Sequence, residues 1–205
     1  MPYVGNDVVD LKEPANAGKS RDPRFLKKIL TDAEIEFIKN AERPQAALWS
    51  LWACKEAAYK VKNKSFPDIP FIPRRWQVVF NKLQSDYSDG EVIIPEKGSV
   101  YIRLFSNIQC VHCVGADSFA VLDQLIWSVE VLPEGKEISP SLFLRDRLGE
   151  KLANNLSLNF HDIKIRRTKT NGELQQPCVY VDGKETDINI SLSHDGRFVA
   201  YAYYL

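Results

Sequence analysis

Leu51-Trp52-Ala53-Cys54-Lys55-Glu56-Ala57-Ala58-Tyr59-Lys60 lies inside a segment that predicts one long helix from about Pro44 to Asn63. The proline-rich run SFPDIPFIPRR, residues 65–75, ends that helix. Glu56 and Lys60 stand four positions apart and share a face. Taken alone, they read as an ordinary ion pair contributing roughly a few tenths of a kcal/mol. Upstream, Tyr3–Leu11 alternates like a strand, Pro23–Lys28 suits a short basic helix, and Thr31-Asp32-Ala33-Glu34 is a capping box opening a helix over Asp32–Asn40. Downstream, Trp76–Phe80, Glu91–Ile94, Val100–Phe105 and Gln109–Val114 have strand composition, with Asp-Gly and Lys-Gly turns between them. The pattern then repeats in kind: a strand at Leu125–Leu132, a helix at Ser139–Asn154, and a final β portion with Ile188–Leu192 and Phe198–Tyr204. Strand, helices and strands followed by strand, helix and strands give an α+β chain of two units of similar plan.

The 205 residues are 44% hydrophobic, enough for a substantial core, and 27 Lys and Arg balance 27 Asp and Glu. No global basic field argues for nucleic acid, so a charged partner must be met by a local patch. The apolar run Phe119–Trp127 is broken by Asp123 and Gln124 and is far too short for a membrane span. MPYVGNDVVDLKE carries no secretory pattern, so the expectation is a soluble, cytoplasmic chain. Cys110-Val111-His112-Cys113 has metal or redox spacing, but on a strand positions i and i+3 face opposite sides, which favours buried free thiols.

Two further segments carry chemistry. In Val4-Gly5-Asn6-Asp7-Val8-Val9-Asp10, the acid at Asp7 alone reads as a turn or cap residue. In Asn189-Ile190-Ser191-Leu192-Ser193-His194-Asp195-Gly196, a strand is expected to run into a turn whose Ser and His face a phosphate or a neighbouring backbone. A hydrolase triad is excluded there, because contiguous residues do not reproduce groups assembled from separate segments.

Together with the helix, these segments resemble the 4′-phosphopantetheinyl transferase superfamily: Gly-x-Asp-hydrophobic, Trp-x-x-Lys-Glu-x-x-x-Lys, then Ser-x-Ser-His, in order. Thr31-Asp32-Ala33-Glu34 also resembles the family's helix start between the first two motifs. The resemblance implies two pseudo-symmetric α+β halves, residues 1–120 carrying the metal ligands and 121–205 binding coenzyme A, with the active site in the cleft between them. It implies a monomer that transfers the phosphopantetheine arm of coenzyme A to a serine of an apo acyl or peptidyl carrier protein. By motif match, Asp7 and Glu56 hold Mg²⁺, and Glu56 and Lys60 are catalytic, Lys60 on the diphosphate and Glu56 accepting the serine proton directly or through water. Ser193, His194, Arg145, Arg166, Arg167 and Lys169 would bind coenzyme A, and Arg21, Arg24, Lys27 and Lys28 would face an acidic carrier. The alternative is an inactive carrier-protein or coenzyme A binding module of the same fold, against which the paired Asp7 and Glu56 with Lys60 argue.

Three departures mark this chain. Val9 stands where two-unit members of the family have a second acid, and Asp10 should point to the other strand face. Leu174-Gln175-Gln176-Pro177 replaces a Gly-Lys-Pro. The Ser-His and Gly-x-Asp segments lie at opposite ends of the chain, which implies a circular permutation and predicts an antiparallel ladder between Phe198–Tyr204 and Tyr3–Val9.

Overall fold

The computed structural model describes residues 2–135, 138–170 and 173–205. Strand β1 (Val4–Asp10) leads into helices α1 (Pro23–Ile29), α2 (Asp32–Asn40) and α3 (Pro44–Ser65). Asp22 caps α1 by accepting from the N–H groups of Arg24 and Phe25, and Thr31 and Glu34 form the reciprocal capping box of α2. Strands β2 (Gln77–Leu83), β3 (Ser88–Ile94), β4 (Gly98–Ser106) and β5 (Cys110–Ala116) follow, and the antiparallel sheet runs β1-β5-β4-β3-β2. Helix α3 covers one face of it, packing Leu48, Leu51, Ala57 and Val61 with Val92, Ile102 and Val111. Each of these leucines, valines and isoleucines removed from water contributes about 1.5–3 kcal/mol.

The second half contains α4 (Phe119–Leu122), β6 (Ile126–Val131), α5 (Pro140–Leu156), β7 (Ile163–Thr170), β8 (Glu173–Val181), β9 (Lys184–Glu185), β10 (Asn189–Asp195) and β11 (Phe198–Tyr204). Leu144, Leu148 and Leu152 of α5, one helical turn apart, pack with Ile163, Val179, Ile190 and Tyr203. Here the strands divide into β10-β11-β6 and β7-β8-β9. Strand β8 lies beside β10 without a ladder to it, so the order β6-β11-β10, then β8-β7, follows the plan of the first sheet with one break. The α+β class is as expected. No helix among the described residues is long and apolar enough to cross a membrane.

Two expectations need correction. Strand β11 forms no ladder with β1, because its edges are taken by β10 and β6 while β1 pairs with β5. What lies along the open edge of β1 is β10, running in the same direction. The N–H groups of Val4, Asn6 and Asp10 donate to the side chains of Asn189, Ser191 and Asp195, at 3.0, 2.9 and 2.8 Å, each 185 positions along. Ser193, His194 and Asp195 belong to strand β10 rather than to a turn, and the left-handed turn residue is Gly196.

Candidate active site

The site begins with a missing side chain. A Cβ at Gly5 would sit 2.0 Å from the carbonyl oxygen of Ala57, so β1 and α3 touch backbone to backbone. Asp7, two residues on, faces the same way as Gly5, and Glu56 precedes Ala57 in α3. The close approach therefore brings two carboxylates from distant parts of the chain together. Asp7 accepts a hydrogen bond from Lys60 at 2.9 Å, and Lys60 also donates to the carbonyl of Asn6 at 2.7 Å.

Burial raises the pKa of Asp7 despite Lys60 beside it. Burial, and then the charge of Asp7, push Glu56 up to about 7. A hard dication beside two buried carboxylates would reverse the penalty that burial places on their charged forms. Among the described residues no group of three or more His, Cys, Asp or Glu could hold a metal, so a Mg²⁺ here would take its remaining ligands from water and phosphate.

Across from Asp7 and Lys60, α5 supplies Arg145, β7 supplies Arg166 and Arg167, and β10 supplies Ser193 and His194, around a cleft of about 710 Å³. The Nε of Arg145 is buried and has no hydrogen-bond partner among the described residues, a donor suited to a phosphate oxygen. Ser193 is tied to Asn6, whose Nδ2 donates to its Oγ at 3.0 Å. Glu56 does not line this cleft, and Lys169 is exposed outside it. Arg21, Arg24, Lys27 and Lys28 are exposed on and before α1, with the exposed Arg74 and Arg75 in the segment packed beside that helix.

Several residues around the site escaped the sequence reading. Lys55, inside the motif, is fully buried and donates to Glu34 and to the carbonyls of Ile29 and Pro73. Glu34 in turn accepts from the N–H of Val78, so the capping residue of α2 also anchors β2 and α3. Lys64, pulled down to about 7 by burial, donates to the carbonyls of Val4 and Ile190, both at 2.7 Å, and to Asn189 at 2.6 Å. Asp10 does point away from Asp7: it meets Arg197 at 2.7 Å through both carboxylate oxygens, and this guanidinium holds its pKa down to about 2. His112 lies beside the touching rings of Phe105 and Trp127 with neither ring nitrogen partnered among the described residues, and burial pulls it down to about 3. Cys110 and Cys113 are buried free thiols, packed in different clusters.

The model of the 4′-phosphopantetheinyl transferase superfamily matches residues 3–118. A holo-acyl-carrier-protein synthase of Leptospira biflexa serovar Patoc is 37% identical over 63 residues, 31% of this chain and 50% of that protein. The synthase of Chloroherpeton thalassium is 39% identical over 57 residues, 28% of this chain and 47% of the relative. That of Chlamydia trachomatis serovar L2 is 26% identical over 93 residues, 45% and 73%. The chain thus spans about half the length of the first of these relatives. The family match covers more than half of the 205 residues, including Asp7, Glu56 and Lys60, and the chain belongs to the 4′-phosphopantetheinyl transferase superfamily.

Proposed function

We propose that this chain transfers the 4′-phosphopantetheine arm of coenzyme A to a serine of an apo acyl or peptidyl carrier protein, releasing 3′,5′-ADP. The observation that carries the reading is the gathering of Asp7 and Lys60 with Arg145, Arg166 and His194 around one cleft, with Glu56 near enough for the charge of Asp7 to raise its pKa. The arginines and His194 hold the phosphates of coenzyme A, and Lys60 places a point charge on the diphosphate. The serine Oγ attacks the β-phosphorus, the bond from that phosphorus to the oxygen shared with the departing nucleotide breaks, and Glu56 takes the serine proton directly or through water. Asp7 and Glu56 would hold Mg²⁺, which supplies charge stabilisation at the diphosphate when bound. In this reading the protein works in the cytoplasm as a monomer, with residues 1–120 and 121–205 as its two halves.

Incubation with coenzyme A, Mg²⁺ and a panel of apo carrier proteins, followed by mass measurement of the carriers, tests the proposal. The expected result is one added phosphopantetheine, lost by about a thousandfold in rate in Asp7→Ala and Glu56→Ala. No mass gain across the panel, or near-parental rates in either variant, overturns it.

A further inference from the structure

The cleft does not end at Lys60. Through Lys60, Arg167 and Leu192 it continues into a neck of about 240 Å³, and past Tyr59 and Asn63 the neck opens into an outer cleft of about 960 Å³ beside the end of α3. The polarity changes along this path. The inner cleft presents Lys60, Arg145, Arg166 and Arg167, whereas the neck shares Lys60 and Arg167 with it and adds the amides of Asn63, Gln175 and Gln176 beside Lys64. The outer cleft presents the carboxylates of Asp68, Glu185 and Asp187, and its Lys64 is engaged with three oxygens. Asn63 lines the neck, and its Oδ1 is buried and has no hydrogen-bond partner among the described residues.

A ligand that fits this sequence is anionic at one end and continues as a neutral chain bearing amide N–H groups. A polyphosphate extending outward would meet three carboxylates. A hydrocarbon chain would leave the Asn63 acceptor unpaired. We infer that the neck holds the pantetheine arm of coenzyme A, with Asn63 Oδ1 accepting a hydrogen bond from one of its two amides. This rests on the transferase reading above. Lys60 lies where cleft and neck join, so an arm leaving the phosphate that Lys60 contacts enters the neck directly.

The test compares coenzyme A with 3′,5′-ADP, the same nucleotide without the arm, by calorimetry in Mg²⁺ on the parent and on Asn63→Leu. Coenzyme A should bind the variant about tenfold more weakly, while 3′,5′-ADP binds both alike and reports that the fold is intact. Unchanged coenzyme A affinity, or an equal loss for both ligands, overturns the arm path while the transferase reading stands. Failure of the parent to bind either ligand overturns both.

Discussion

The two edges of β1 are closed by different chemistry. Toward β5 a ladder runs without interruption from Val4 opposite Ala116 to Asp10 opposite Cys110. Toward β10 the strand meets side chains, those of Asn189, Ser191 and Asp195, with the Lys64 ammonium reaching in from α3. A ladder holds its register through backbone groups that every residue shares except proline. A side-chain seam depends on each residue that makes it, though it serves equally to cover an open sheet edge. Asp7 and Lys60 are therefore fixed within the ladder-built half. Their placement opposite Arg145 and His194 depends on the seam.

The strongest way to break the seam is at its far end. Arg197→Ala leaves the carboxylate of Asp10, 1% exposed, without its guanidinium, and should lower the urea midpoint more than any other change to the seam. An unchanged urea midpoint would mean that the bridge is incidental. Lys64→Met removes the donor shared by Val4, Asn189 and Ile190 and should cost about 2 kcal/mol, with weaker coenzyme A binding. Lys64→Arg should recover part of that binding if the ammonium acts by holding the halves together.

A pH series sharpens the comparison on the apolar part of the contact, where His112 of β5 meets Trp127 of β6. Its folded pKa of about 3 lies below the ordinary 6.5, so between these values the unfolded chain holds a proton that the native one lacks. Stability from this group is complete above 6.5 and falls toward 3, by at most about 1.4 kcal/mol per pH unit. Glu56, raised to about 7, acts with the opposite sign between 4.5 and 7. The informative quantity is therefore the difference between the parent and His112→Phe, which should grow as the pH is lowered; a constant difference counts against the buried imidazole. The smallest change is expected from Asn6→Ala, about 1 kcal/mol for the lost bond to Ser193, with the ladder to β5 retaining its slow hydrogen exchange.

Local rules made much of this visible in the sequence. The capping box of α2 and the proline at the start of α3 each act within a few residues, and each element forms there. The motif residues were readable because Glu56 and Lys60 are separated by one helical turn. The seam was not readable. Its partners are 185 positions apart, and serines and an asparagine on a strand give no sign of which edge they will cover. Lys55 misleads for a related reason: a lysine in a helix reads as a surface residue, and only the folded chain brings Glu34 and two carbonyls to its ammonium. The expected ladder between the terminal strands failed because it assigned β11 an edge that β6 already occupies.

The contact at Gly5 has a consequence for how the gene can vary. Every single-base change in a glycine codon that alters the amino acid introduces a side chain, and here the first carbon of any side chain would collide with the Ala57 carbonyl. The smallest such change, to alanine, already forces β1 and α3 apart, and with them the carboxylates of Asp7 and Glu56. A conservative replacement does not exist at this position, so drift is arrested there by clearance alone, two residues away from Asp7.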